Sequence, residues 1–305
     1  MIAMKSESDF LGTIMATLGY APRHLEPGKF QRFGPRKSGW AKLFDDCLGG
    51  VFGDYRQNLS SHWSARQSQS AGERRQLQMQ MQRAIREREA ERRAQWTRNA
   101  KSNRELWAAT EPAGNAVRRY LEARRLSHWS IPACIRQHPG LTYWHADDEG
   151  VLHNLGTFPA MFAPLVGADG RLLAIHTTYL GDGRKADVPT PKKLTAAAGP
   201  LAGAYIPLAA PRGRVIGIAE GIETAAAASL GSGLPTVAAY CAHALSAFHW
   251  PRGIERLVIF ADNDPAGQQA AAVLAQRADK AGLTSKTLTP SKAGSDWADV
   301  WQEGK

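Results

Sequence analysis

Three acidic residues stand where their types and spacing could do chemistry. Glu220 ends the apolar run Val215-Ile216-Gly217-Ile218-Ala219, and Asp262 and Asp264 follow the run Arg256 to Ala261. Between them lie an Ala-rich helical segment, Ile222 to Leu230, closed by Gly231 and Gly233, then a short apolar run, Thr236 to Ala239, and a helical stretch, Ala242 to Phe248. Short apolar runs alternating with helical segments read as buried strands of a parallel sheet with crossover helices. In such a sheet the carboxyl ends of the strands share one edge, and ligands bind there. Glu220, Asp262 and Asp264 are therefore expected to converge. Convergent carboxylates repel, and a partly buried sheet edge makes the repulsion costly unless a cation compensates. Oxygen-only ligands suit a hard ion, above all Mg2+ with Mn2+ in its place, and such an ion serves phosphoryl or nucleotidyl transfer or phosphodiester cleavage.

The same residues have structural uses. Glu220-Gly221 precedes a helix, whose macrodipole favours a carboxylate. Asp264-Pro265-Ala266-Gly267 is a good helix start, with Asp264 as N-cap and Pro265 in the first turn. An N-cap role and a metal role are compatible. Glu223 is expected one helical turn away, in solvent.

The stretches AEGIETAAAA and VIFADNDPAG, a strand ending in Glu-Gly, a helix, and a strand ending in Asp-x-Asp, resemble the Toprim domain. Bacterial-type primases, type IA and II topoisomerases and small nucleases share that domain. The resemblance implies that Glu220, Asp262 and Asp264 hold Mg2+ and that Glu220 also serves as a general acid or base. The C-terminal GSDWADVW resembles the acidic element that closes many phage and plasmid primases, which adds Asp296 and Asp299 to the implied metal set.

Four segments are expected to position these groups. Residues 211–305 form the α/β Toprim domain, a short parallel sheet flanked by helices. Residues 112–210 form an α+β subdomain: a helix, Asn115 to Arg125, then strand-like stretches at Leu141–Trp144, Ala160–Val166 and Leu172–Leu180, with the tight-turn dipeptide Asp169-Gly170 between the last two. Its GNAVRRYLEARRLSHWSIPACIRQHPGLTYW is similar to the part that precedes Toprim in plasmid and phage primases, which implies a primase core. Arg184, Lys185, Lys192 and Lys193 in this segment are expected to face the carboxylate edge and bind a nucleoside triphosphate or the template backbone. Residues 63–111 form a helical arm, Ser64 to Ala109, rich in Gln, Arg, Glu and Ala and without Pro. Leu77, Met81, Ile85, Trp96 and Leu106 are too sparse along it for a heptad seam.

Residues 1–62 form a small basic region in which Phe10 to Tyr20 suits a short helix. The pattern GWAKLFDD…GGVFGDYR resembles a degenerate version of the zinc-binding module found in primases of mobile elements. His24 and Cys47 are too few to hold structural zinc, and none is expected. Basic and aromatic residues interleave here. Lys29, Arg32, Arg36, Lys37 and Trp40 suit single-stranded nucleic acid through phosphate contacts and base stacking, or equally a small packed sheet with a basic surface.

Composition narrows the classes. Residues 1–126 carry 23 Lys and Arg against 13 Asp and Glu, and the remainder carries 15 of each, so the whole net charge of +10 lies away from the carboxylates. That division suits a polyanionic partner. Three scattered cysteines without CxxC spacing argue against a disulfide framework and fit a reducing cytoplasm. No apolar run approaches the length of a membrane span, so no membrane partner is expected. There is no P-loop, so unwinding would fall to a replicative helicase encoded separately. The reading that joins these features is a DNA primase of phage, plasmid or integrated-element replication, making short RNA primers on single-stranded DNA from nucleoside triphosphates with Mg2+. A Toprim nuclease and a non-catalytic nucleic-acid-binding accessory protein remain open alternatives.

Overall fold

A computed structural model describes residues 2–57, 59–65, 71–147 and 149–304. The chain divides into two compact units, residues 1–94 and 95–305. Among the described residues no helix is long and apolar enough to cross a membrane.

The first unit begins with α1 (Ile2–Leu18), longer than the Phe10–Tyr20 segment that its sequence indicates. Four antiparallel strands follow in spatial order, β1 (Gln31–Phe33), β2 (Gly39–Leu43), β3 (Gly49–Asp54) and β4 (Leu59–Ser64). Phe10, Ile14 and Leu18 of α1 pack against Leu25, Phe33, Leu43 and Phe52, and this cluster is the unit's main core. Phe10 is fully buried, stacked on Trp63 at 5.2 Å and edge-on to Phe52 at 5.8 Å. Asp54, also buried, accepts the Ser38 hydroxyl at 2.8 Å, the Tyr20 phenol, and the backbone N–H groups of Arg56 and Gln57. Four donors on one carboxylate anchor the end of β3.

The long helix α2 (Ala71–Ala108) starts later than the expected Ser64. Ser64 instead ends β4, where Leu59 to Ser64 pair residue for residue with Asp54 to Gly49 of β3. The positions 66–70 of the expected helix, and the Leu77 side chain, lie outside the described residues. Met81 and Ala84 of α2 pack with Phe30, Trp40, Phe44 and Val51 in a second small core of the first unit. Arg83–Glu87 and Glu89–Arg93 form i,i+4 pairs at 2.9 and 4.0 Å, exposed pairs of a few tenths of a kcal/mol each.

The last turns of α2 belong to the second unit. There Asn103 is buried and donates to the carbonyls of Ala196 and Leu173, and Asn99 donates to that of Ala197. An antiparallel sheet follows, built from β5 (Glu111–Pro112), β6 (Arg136–Ala146), β7 (Leu152–Val166), β8 (Leu172–Tyr179) and β9 (Lys192–Leu194) in that spatial order, with α3 (Asn115–Ala123) between β5 and β6 in the chain. The β7–β8 turn holds Gly170 at φ 76°, the conformation that Asp-Gly supplies.

The remainder of the chain is β10 (Val215–Ala219), α4 (Ile222–Ser232), β11 (Thr236–Ala238), α5 (Ala242–Ala247), β12 (Arg256–Phe260), α6 (Pro265–Lys280), β13 (Thr284–Leu288) and α7 (Trp297–Glu303). Its strands are all parallel in the order β11-β10-β12-β13. Ile216, Ile218, Leu257 and Ile259 face α5 and α6, where Leu245, Phe248, Ala271 and Leu274 meet them. Ala219, Val258 and Phe260 join the larger core, in which α4 lies with Val117, Tyr120 and Leu121 of α3 and Met161, Ala163 and Leu165 of β7. Residues 222–228 of α4 are buried without exception, and the small side chains of Ala225 to Ala228 suit that enclosure.

Phe10 tests the first unit. Phe10→Ala should destabilise it by about 3–5 kcal/mol, as for a fully enclosed aromatic. Guanidinium unfolding followed by tryptophan fluorescence should show an earlier transition, and an unchanged midpoint would contradict the packing described.

Candidate active site

The pairing of β10 with β12 sets Ala219 opposite Phe260, so the residues that follow, Glu220 on one strand and Ala261-Asp262 on the other, leave the sheet together. Each strand end runs directly into a helix start. Gly221 is the N-cap of α4, and Asp264 is the N-cap of α6, its side chain accepting the Gly267 N–H at 2.7 Å with Pro265 in the first turn. Gly267 has a steric reason as well: a Cβ there would stand 2.8 Å from the Asp262 carbonyl oxygen. Asn263, between the two aspartates, points away from them. Its Nδ2 donates to the Pro290 carbonyl at 2.9 Å and its backbone exchanges hydrogen bonds with Gly294 and Ser295. Asn263 thereby staples the 290–295 loop and delivers Asp296 to the same edge. Sequence reading missed that role, although a polar residue enclosed by two functional aspartates was the available signal.

Asp296 and Asp299 form a reciprocal capping box at the start of α7, each side chain accepting the other's backbone N–H, at 2.9 and 3.1 Å. Asp296 also accepts the Thr224 hydroxyl of α4 at 3.4 Å. On the opposite flank the Glu220 carbonyl accepts the Tyr240 N–H at 2.7 Å, and Tyr240 takes φ 106°, a strained value for a bulky residue.

The electrostatics of the edge are those of crowded like charges. Burial, and then the charges of Glu220, Asp296, Asp264 and Asp299, push the Asp262 carboxyl up to about 7. Its Oδ1 is buried with no hydrogen-bond partner among the described residues. Burial and Asp264 also raise Glu220, while the Ala242 N–H and the Lys192 charge pull it back. Among the described residues no three carboxylate, imidazole or thiol groups close on one point tightly enough to clasp an ion. The carboxylates line the edge instead. An all-oxygen donor set with an orphaned buried oxygen at its centre fits a hard divalent cation that keeps part of its water shell.

The four cations of residues 184–193 are placed differently from one another. Lys192 and Lys193 are neighbours on β9 and point to opposite faces. Lys192 Nζ lies 3.1 Å from Glu223 Oε2, and its charge reaches Glu220. Lys185 is half-buried beside Lys192 and is lowered by burial and by that neighbour. Lys193 Nζ instead sits 3.7 Å from the Tyr143 ring centre and donates to the Trp144 carbonyl. Arg184 is exposed in the turn after β8, its carbonyl accepting the Gly181 N–H.

Glu223 corrects its expected place in solvent. It is buried, and its Oε1 accepts the Tyr120 phenol at 2.5 Å. Burial works to raise its carboxyl, yet the Lys192 charge and the Tyr120 hydrogen bond outweigh that and hold it at about 2. His176, on β8, is buried with Nδ1 unpartnered, and burial together with the Lys192 charge lowers it to about 4.

In the first unit, Trp40 has the packed-sheet place, one of the two readings open for it. Its ring is buried, stacked on Phe30 at 5.6 Å and covered by the Arg88 guanidinium at 4.5 Å, so it cannot serve as an open platform for a base. Lys29 pairs with Glu26, Arg32 lies 4.8 Å from the Tyr55 ring centre, and Arg36 and Lys37 are exposed in a turn with φ 53° and 55°.

Residues 215–305 match the family model of the Toprim domain, and the parallel sheet and acidic edge just described are that domain in this chain. Residues 97–205 match the model of a domain of unknown function, DUF7146. Among solved structures, the chain is similar to a DnaG primase catalytic domain bound to ssDNA, at 15% identity and TM-score 0.48, over 70% of this chain and 78% of that one. It is also similar to the Aquifex aeolicus primase (zinc-binding and RNA polymerase domains), at 10% identity and TM-score 0.40, over 99% and 82%. A third similarity is to the primase fragment of the bacteriophage T7 primase-helicase protein, at 15% identity and TM-score 0.37, over 60% and 66%. No curated protein sequence matches the chain.

Two measurements test the site. Asp262→Asn keeps the shape and removes a buried like charge. Without divalent ions it should raise Tm by about 2–4 °C, and it should abolish the Tm increase that Mg2+ gives the wild type. A Mg2+ response that survives the substitution would remove Asp262 from the metal site. Glu223 sets a pH dependence. Its folded value of about 2 lies below its ordinary 4.5, so its stabilisation is complete above pH 4.5 and lost as pH falls through 2. For a fully enclosed group this is worth about 3 kcal/mol. Glu223→Gln should lack that component, read as a flatter stability profile between pH 5 and 2.

Proposed function

We propose that this Toprim protein is a DNA primase, a nucleotidyltransferase that makes short RNA primers on single-stranded DNA. The observation that carries the reading is the buried Oδ1 of Asp262, unpartnered among the described residues, at the acidic edge, with the Lys192 ammonium held on Glu223 one helical turn after Glu220. An acidic edge alone suits cutting or joining phosphodiesters. Cations delivered beside it suit a substrate that arrives with a triphosphate.

Bound Mg2+, held by Glu220, Asp262 and Asp264 with Asp296 and Asp299 around it, would supply charge neutralisation and polarise the phosphoryl oxygen. The chain's own groups do the rest. Lys192 and Lys185 bind the triphosphate oxygens, and Arg184 reaches the template or nucleotide from its exposed turn. Glu220, raised by burial, accepts the proton of the attacking 3′-hydroxyl at its carboxylate. Lys193 meets the template backbone from the opposite face of β9. Lys29, Arg32, Arg36 and Lys37 add salt-sensitive affinity for single-stranded DNA from the first unit. The setting proposed is cytoplasmic replication of a phage, plasmid or integrated element, with a separately encoded helicase to open the duplex.

The test is primer synthesis by the purified chain on single-stranded DNA with labelled ribonucleotides and Mg2+, with Asp262→Ala beside it. New short oligomers from the wild type, reduced at least 100-fold in the variant, are expected. Shortened template in place of new product would replace the primase with a nuclease, and DNA binding without either reaction would leave an accessory protein.

A further inference from the structure

Glu223 is an uneconomical residue for the helix that carries it. Every neighbour from Ile222 to Ala228 is buried, and the rest of that stretch is apolar apart from Thr224. A carboxylate enclosed there loses its water and must recover the loss from partners. Replacing a buried ion pair with apolar side chains is often neutral or favourable for a fold, so the pair is weak evidence of a purely stabilising role. Its geometry accounts for it better. The two carboxylate oxygens are divided between two partners, Oε1 with the Tyr120 phenol at 2.5 Å and Oε2 with the Lys192 ammonium at 3.1 Å. The phenol comes from α3 and is itself fully buried, so one oxygen is pinned and the other is aimed.

Lys192 is what it is aimed at. A lysine on a three-residue edge strand has a flexible four-carbon stem, and holding its ammonium in one place is costly in rotamer entropy without an anchor. Its side chain remains 37% exposed, open to a ligand while tethered. The carboxylate that anchors it stands in the first turn of α4, one helical turn after Glu220 at the end of β10. Lys185 adds a second ammonium beside it, whereas the neighbouring His176 stays uncharged at neutral pH.

We propose that Glu223 is a positioning residue: fixed by Tyr120, it holds the Lys192 ammonium at the carboxylate edge to meet the phosphates of a nucleoside triphosphate. This rests on the reading above that Lys192 binds the triphosphate. Lys193, on the other face of the same strand, is outside the arrangement.

A double-mutant cycle separates positioning from structure. Glu223→Gln, Lys192→Met and the double variant are compared for equilibrium binding of a fluorescent ribonucleoside triphosphate with Mg2+, for KM and kcat in primer synthesis, and for Tm. Each single variant should weaken triphosphate binding about 10-fold. The double variant should bind no more weakly than Lys192→Met alone. Glu223→Gln should raise KM about 10-fold while kcat stays within about twofold, and Tyr120→Phe should move KM the same way by about 2–3-fold. Additive losses in the cycle would overturn the proposal, as would a Glu223→Gln variant that melts earlier yet binds triphosphate normally. A wild type that binds triphosphate with the non-additive pattern but makes no primer would support the role of Glu223 and refute the primase. A wild type that binds no triphosphate would overturn both.

Discussion

Repulsion among carboxylates on one sheet edge is the constraint that the second unit is built to withstand. A parallel sheet delivers its strand ends to the same side, and here the residues leaving β10 and β12 are acidic. Each neighbouring group moderates that crowding. Asp264 turns one oxygen to the N-terminus of α6, Asp296 and Asp299 cap α7, and the Lys192 ammonium draws Glu220 down. Asp262 is left with a buried oxygen that none of the described residues satisfies. The backbone shares the burden, since Tyr240 holds a left-handed conformation while its N–H is spent on the Glu220 carbonyl. A conformation of that kind stores about 1–3 kcal/mol and persists only where its surroundings enforce it.

Much of this arrangement was legible in the sequence because strands buried on both faces must be apolar throughout. Val215 to Ala219 and Arg256 to Phe260 announce themselves that way, and each stops at an acid. β13 gave no such signal. It is the outer strand of its sheet and reads Thr-Ser-Lys-Thr-Leu, with most of its residues open to solvent. An edge strand with one wet face needs no apolar run.

The misplacement of Glu223 has an instructive cause. A charged residue one turn into a helix is ordinarily on a solvent face, but a helix made of Ile-Glu-Thr-Ala-Ala-Ala-Ala has no polar face to offer. A run of alanines in place of an amphipathic pattern signals a helix enclosed all round, and that signal outranked the charge. Trp40 had two readings open in the sequence. Alternating basic and aromatic residues arise on a nucleic-acid-binding surface, and equally on a small two-faced sheet that buries one set, as β2 does. The Asn263 staple was hidden because its partners, Pro290, Gly294 and Ser295, lie some thirty residues along the chain.

The enclosure of α4 also decides what counts as a part of this protein. Residues 97–205 and 215–305 match separate family descriptions, yet α4 from the second segment shares one core with α3 and β7 from the first. The Tyr120–Glu223 hydrogen bond crosses the same seam. Cutting the chain near residue 210 would open the apolar side of α4 and strand a buried carboxylate. Both segments lie in one compact unit, residues 95–305, and that shared core crosses the boundary between the two family descriptions.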